Sequence, residues 1–308
     1  MGQVWLPAQF TSFAGLPETL RYARWDGHAD FPSDPGRVEF YVPPLVQDLR
    51  TISRPLGRMT RLRAMQALSS GHDGLSAELR RLPGKVTLCN AKGTHAPSTA
   101  ELALTLILAS LRGAPEFTRC QDLREWRPAV FSSLHERTVL VVGYGALGSA
   151  VEDLLAPFGC TVVRVARTGR RSPRGPVHAV SRLPELVTEA DVVVLTTELT
   201  AATRHLVDAT LLAGFRDGAL LVNVARGAVV DTDALWEEVR DGRLRAALDV
   251  TDPEPLPADH PLWGAPGVVI TPHVGALTPS LWPRLEALVR RQLVRFAADE
   301  ELDNVVAY

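Results

Sequence analysis

The sequence is short of lysine and cysteine, and it carries no surplus of charge. Lys85 and Lys92 are the only lysines among 33 basic residues, so a Schiff-base lysine is thinly supplied. The three cysteines, Cys89, Cys120 and Cys160, are far apart and odd in number. They make no CxxC or zinc spacing, so reduced thiols, a cytoplasmic location and no metal are expected. Net charge is −2, and no nucleic-acid partner that needs a strong basic field is expected. Long apolar runs are missing as well. The longest, Leu102 to Leu111, is too short for a bilayer and is broken by Thr105 and Ser110, so no membrane role is expected. Met1 to Phe10 has neither a basic n-region nor an apolar h-region, and no secretory signal is expected there. What is present is ordinary globular composition, 46% hydrophobic and 22% charged over 308 residues. That is enough for a real core and about two domains.

Up to about residue 94 the pattern is of short strands between turn signals, with Val38–Val42 and Val86–Cys89 the clearest. Ser69-Ser70-Gly71-His72-Asp73-Gly74 is a polar loop. Ser98 opens a helix with Glu101 at capping-box spacing, and its apolar run suggests burial on two sides. From Thr138 the rhythm changes to apolar strands alternating with helices. Strands are expected at 138–142, 161–165, 191–196, 219–224, 245–250 and 268–271, and Arg167–Arg174 reads as a basic loop. Continuous apolar strands joined by helices indicate a parallel sheet covered on both faces. The expected fold is α/β: a doubly wound, Rossmann-like domain over 95–280, inserted in a smaller α/β domain of 1–94. The last helical pattern, within 281–308, is expected to return to the smaller domain.

Val139–Val142 runs into Gly143-Tyr144-Gly145-Ala146-Leu147-Gly148 and then a helix. In that setting G-x-G-x-x-G reads as a phosphate-binding turn. Gly143 permits the turn, Gly145 lets backbone approach a pyrophosphate, and Gly148 allows close packing. The N–H groups of Ala146 and Leu147 face the phosphates at the helix N-terminus. A carboxylate that binds ribose hydroxyls is expected near the end of the second strand, but that strand ends Ala166-Arg167-Thr168-Gly169-Arg170. Arg167, Thr168 and Arg170 suit a 2′-phosphate instead, so NADP(H) is expected to be preferred, with NAD(H) possible.

Three further segments follow apolar strands: Asn223-Val224-Ala225-Arg226-Gly227, Asp249-Val250-Thr251-Asp252-Pro253-Glu254-Pro255 and Thr271-Pro272-His273. Each carries one ionisable residue of interest, Arg226, Glu254 and His273. With the glycine turn, and in this order, they resemble the D-isomer-specific 2-hydroxyacid dehydrogenase family, in particular its NADPH-linked glyoxylate/hydroxypyruvate reductase-like branch. The resemblance runs from about Leu62 to the last helix and is densest from Thr138 to Thr278. The chain departs from the family pattern at Glu198, where proline is usual, and at Val274-Gly275-Ala276, where two glycines are common.

The resemblance implies a catalytic set of Arg226, Glu254 and His273. Arg226 would bind the carboxylate and carbonyl oxygen of a 2-oxo acid, and His273 would pass a proton to that oxygen. Glu254 would hydrogen-bond His273 and orient its ring. The formate dehydrogenase branch has Gln in that position, so formate oxidation is not expected. Ser70, Gly71 and His72 would grip the substrate carboxylate through backbone N–H groups. Asp249 would contact the nicotinamide carboxamide, and Thr197, Thr203 and Val224 would line the cofactor. Catalysis would lie in the cleft between the two domains. A homodimer through the Ser98–Leu111 helix and the Glu116–Trp126 arm is implied, with Trp126 either reaching the partner or serving as a buried anchor. The competing reading is a dinucleotide-sensing, corepressor-like module that binds without turnover.

Overall fold

The computed structural model describes the chain except Met1, Ala29, Val46, Gln47, His72, Asp73 and Tyr308. It divides into two compact units, residues 1–95 with 279–308, and residues 96–278. Among the described residues no helix is long and apolar enough to cross a membrane.

The first unit carries β1 (Gly2–Pro7), β2 (Leu20–Trp25), β3 (Val38–Tyr41), α1 (Leu49–Ser53), β4 (Ala64–Gln66), α2 (Leu75–Arg80) and β5 (Thr87–Cys89). The strands form one parallel sheet in the order β2-β1-β3-β4-β5. Successive residues of a strand face opposite sides. Thus Val4, Leu6 and Phe40 enter one core, while Trp5 and Tyr41 enter the other with Leu75 and Leu79 of α2.

The second unit holds α3 (Ala96–Leu111), α4 (Ala114–Asp122), β6 (Thr138–Val142), α5 (Ala146–Leu155), β7 (Thr161–Ala166), β8 (Arg170–Ser172), β9 (Gly175–Ala179), α6 (Leu183–Leu186), β10 (Val192–Leu195), α7 (Ala209–Ala213), β11 (Leu220–Asn223), α8 (Thr232–Val239), β12 (Arg245–Leu248) and β13 (Val268–Ile270). Its eight strands run β13-β12-β11-β10-β6-β7-β9-β8, all parallel except the β8–β9 pair. Both faces are buried: Val139 and Val141 of β6 meet α3 and α5, and Leu140 and Val142 meet the core on the α7 and α8 side. That double burial is why these strands are continuously apolar. The order reverses between β6 and β10, the switch point at which such sheets bind ligands.

Back in the first unit, α9 (Leu281–Ala297) buries Leu281, Leu285, Leu288, Val289, Leu293 and Phe296, a helical stripe, against the core of Val4, Leu6 and Phe40.

Three expectations need correction. The basic stretch Arg167–Arg174 is not all loop, because Arg170–Ser172 is an edge strand paired with β9. The long helix begins at Ala96, and Ser98 is not its cap. The Ser98 hydroxyl lies 3.0 Å from that of Thr278. That helix also packs one face on the sheet while Leu102, Leu104 and Leu108 are only half-buried, so within this chain it is not buried on two sides.

Candidate active site

The glycine turn follows β6 at the switch point. Gly143 has φ +108°, and a Cβ there would sit 2.6 Å from the Thr197 nitrogen. At Gly148 a Cβ would lie 2.8 Å from the Gly143 oxygen. Only glycine satisfies both approaches. Gly145 is different: nothing lies closer to its Cβ position than 4.0 Å, so its surface is open. No side chain caps α5, and the N–H groups of Ala146, Leu147 and Gly148 have no partner among the described residues. The Thr197 hydroxyl, just past the end of β10, is buried and has no partner among the described residues. Free N–H groups at a helix N-terminus, backed by the helix dipole, suit a phosphate group. The turn therefore fits a dinucleotide pyrophosphate.

The three ionisable residues leave neighbouring strand ends. Asn223, Leu248 and Ile270 stand in one row across β11, β12 and β13. Arg226 follows three residues after the first, and Asp249 one residue after the second. Glu254 lies in the loop after Asp249, and His273 follows three residues after Ile270. Buried Asn223 shapes the first loop, accepting from the Ala225 N–H at 3.0 Å and donating to the Arg226 carbonyl at 3.0 Å. The Arg226 guanidinium donates to the Ala225 carbonyl at 2.7 Å. Gly227 presses this loop onto the next, since a Cβ there would fall 1.8 Å from the Thr251 oxygen. The Thr232 hydroxyl donates to the Asp252 carbonyl at 2.7 Å, and the Thr251 hydroxyl to that of Pro253 at 2.8 Å. These bonds hold the loop that carries Glu254. Its carboxylate lies 2.5 Å from Nδ1 of His273, with both side chains about one-third exposed. Nε2 is the ring nitrogen left for other chemistry.

His273 has φ +54°, a left-handed conformation that L-residues adopt at a cost. Buried Asp249 holds it there. Its carbonyl accepts the His273 N–H at 2.8 Å. Its carboxylate accepts the Thr271 hydroxyl at 2.6 Å and the N–H groups of Val274 and Gly275, each at 2.9 Å. Both oxygens are thus already engaged inside the chain.

The remaining sequence candidates fall into distinct settings. Arg167 and Thr168 are exposed just after β7. Arg170 donates to the Tyr144 carbonyl of the glycine turn at 2.6 Å. The Thr203 hydroxyl closes its own loop, donating to the Glu198 carbonyl at 2.6 Å, and Val224 is buried in the core on the α3 side. In the first unit the Asn90 amide holds the Ser70 carbonyl at 2.8 Å, and the Ser69 hydroxyl holds that of Gly71 at 2.6 Å. The N–H groups of Ser70 and Gly71 have no partner among the described residues. His72 lies outside the described residues. Trp126 is 98% exposed, so within this chain it is not a buried anchor.

One supporting group was not anticipated. Glu152 of α5 is buried beneath the glycine turn, where it accepts from the Tyr144 hydroxyl and from Arg164 of β7. Burial pushes its carboxyl up. The hydrogen bonds from Arg164 and Tyr144, with the charges of Arg164 and Arg174, outweigh that and leave it below the ordinary carboxylate range. The acid thereby ties the turn, helix and second strand together.

A family model described as "D-isomer specific 2-hydroxyacid dehydrogenase, NAD binding domain" matches residues 104–275. Glyoxylate/hydroxypyruvate reductase B of Pectobacterium atrosepticum is 35% identical over 255 residues, 80% of this chain and 79% of its own length. The crystal structure of a D-isomer specific 2-hydroxyacid dehydrogenase family protein from Aeromonas salmonicida has a TM-score of 0.87 at 28% identity, covering 99% of this chain and 98% of that one. A D-isomer specific 2-hydroxyacid dehydrogenase from Xanthobacter autotrophicus, solved with NADPH and MES, has a TM-score of 0.82 at 28% identity with the same coverage. With these matches over a doubly wound sheet and its glycine turn, the chain belongs to the D-isomer specific 2-hydroxyacid dehydrogenases and is an NAD(P)-dependent oxidoreductase.

Proposed function

We propose that the protein reduces a small 2-oxo acid, glyoxylate- or hydroxypyruvate-like, to the D-2-hydroxy acid, with NADPH as the preferred donor. The observation that carries the reading is the His273–Glu254 pair beside the Arg226 loop at one end of the sheet. The bound nicotinamide would supply the hydride. Ala146, Leu147 and Gly148 would hold the pyrophosphate through their N–H groups. Arg226 would bind the substrate carboxylate and draw electron density toward the carbonyl oxygen, favouring the developing negative charge. His273, with Nδ1 turned to Glu254, would give the proton at Nε2 to that oxygen. Glu254 would orient the ring and fix its tautomer. Ser70 and Gly71 would supply N–H groups to the substrate carboxylate.

The cofactor preference rests on the end of β7, which offers Arg167 and Thr168 in the open and no carboxylate. A guanidinium and a hydroxyl there favour a 2′-phosphate. The NADPH bound to the Xanthobacter protein supports the same reading, and the reductase name borne by the Pectobacterium relative supports the reduction of a 2-oxo acid.

Steady-state oxidation of NADPH and NADH with a panel of 2-oxo acids tests it, run beside Arg226→Ala. Turnover that needs Arg226 and favours NADPH is expected. Equal efficiency with both donors refutes the preference. Tight dinucleotide binding without turnover on the panel favours a sensing module instead. We further propose a homodimer that covers the exposed apolar side chains Phe117, Leu123, Trp126 and Val130. A stable monomer in gel filtration overturns it.

A further inference from the structure

At the opposite, amino-terminal edge of the second unit's sheet lies a cavity of about 190 Å³, lined by Arg137, Arg216 and Arg245 together with Asp191, Asp217 and Ser132. Arg137 precedes β6, Arg216 lies between α7 and β11, and Arg245 opens β12. The strands separate this cavity from the glycine turn and the His273 loop by about 13 Å, at ~3.3 Å per residue. Its volume is far beyond the ~10–15 Å³ that one water needs.

The charges around it do not balance. Asp191 is shared: it accepts from Arg137 at 3.1 Å and from Arg216 at 3.4 Å, and also from the Thr138 N–H at 2.9 Å. Asp217 is 87% exposed and pairs with Arg243 at 3.3 Å. Arg245 has no carboxylate partner among the described residues. It donates to the Gly218 carbonyl at 2.8 Å and 3.2 Å, and its reach to the Ser110 carbonyl is 3.5 Å. Carbonyl dipoles orient a guanidinium but do not neutralise it. Burial, and then the nearby charge of Arg137, hold Arg245 below the ordinary guanidinium range. A cation that is both desolvated and beside another cation is a place where an anion gains most.

We propose that this cavity is a second anion site, specific for a small phosphate dianion, either inorganic phosphate or a phosphomonoester. Three guanidiniums approach it from three separate segments. A tetrahedral group with several acceptor oxygens can meet donors from three directions, whereas a planar carboxylate meets one fork well. The site shares no residue with the proposed reaction.

Isothermal titration calorimetry tests this, with inorganic phosphate and separately glycerol phosphate titrated into NADP-saturated enzyme at constant ionic strength set by chloride. The bound dinucleotide keeps phosphate off the glycine turn. Saturable binding is expected, weakened about tenfold or more by Arg245→Gln and by Arg216→Gln, and kept in Arg226→Ala. Binding of glycerol phosphate at least as tight as phosphate supports the site and identifies a monoester as its ligand. Binding of phosphate alone supports it and identifies the free ion. Absence of saturable binding of both overturns the proposal. So does binding that Arg226→Ala removes and Arg245→Gln keeps, because the anion then sits at the substrate arginine. Should Arg245→Gln fail to fold, Arg216→Gln decides alone, since its side chain is half exposed and its ion pair with Asp191 contributes little to stability.

Discussion

Replacing Asp249 by asparagine tests whether a buried acid, which itself need not touch the substrate, holds the proposed proton donor in place. His273 sits in a left-handed conformation that costs about 1–3 kcal/mol. The Asp249 carboxylate offsets that cost through Thr271, Val274 and Gly275, all within two residues of His273. Asparagine keeps the volume but turns one acceptor oxygen into a donor. With its NH2 group in the place of Oδ2, it meets the Gly275 N–H; with the amide reversed, it meets two donors. Even the better choice loses one charge-assisted bond and leaves a buried N–H without a partner, a loss of about 1.5–3 kcal/mol. That is comparable to the strain being held, so the His273 loop spends much of its time elsewhere. The expected kcat for 2-oxo acid reduction falls about 10- to 100-fold, equivalent to ~1.4–2.8 kcal/mol of barrier. Dinucleotide affinity, measured by fluorescence titration, changes by less than about twofold, because uniform binding is not what was removed. If Asp249→Asn instead weakens the dinucleotide more than about tenfold and leaves saturated kcat intact, Asp249 works as a cofactor contact and the positioning argument fails.

Other outcomes follow from the same geometry. Gly227→Ala places a methyl group 1.8 Å from the Thr251 oxygen, so the Arg226 loop must move; activity is lost and the melting temperature drops, and a variant with wild-type kcat/KM contradicts the packing. The Glu152 carboxyl is depressed in the folded protein, so its contribution is complete above the ordinary carboxylate range near pH ~4 and is lost as pH falls through the lower, folded value. Urea midpoints measured from neutral to acid pH should therefore converge for wild type and Glu152→Gln at the acid end, and a constant gap contradicts the assignment.

The central sheet was legible because its chemistry is repetitive. Val139–Val142, Val192–Leu195 and Leu220–Val222 are apolar without interruption, and only strands buried on both faces need that. The edge of the same sheet was not legible. Arg170–Ser172 is charged because an edge strand protects itself from further pairing, and charge between glycine and proline reads as loop. Ser98 misled for a different reason. Its hydroxyl and Glu101 have the spacing of a cap, yet the hydroxyl's neighbour is Thr278, 180 positions away. The first unit resisted because β4 and β5 span three residues each, too few to display a period.

The candidate site divides along the same line. Arg226, Glu254 and His273 could be nominated because the reaction restricts residue type: a carboxylate calls for a guanidinium, and a proton for a ring nitrogen with an acid behind it. Asp249, named from the resemblance only as a nicotinamide contact, and Glu152, not named at all, obey no such restriction as supporting groups. The donors to the Asp249 carboxylate are a threonine hydroxyl and two backbone N–H groups, and every residue but proline carries such an N–H. Its spacing to them, 22 to 26 positions, is set by the connection between β12 and β13 and not by any helical or strand period. Glu152 shares its helix with the turn it supports, but the cation that makes its burial tolerable comes from the next strand, at Arg164. Groups that react are therefore visible by type, while groups that hold them become visible only once strands are paired and their ends brought together. The strand ends are where both kinds meet, which is why one end of this sheet carries the residues of the proposed reaction and the buried acid bonded around them.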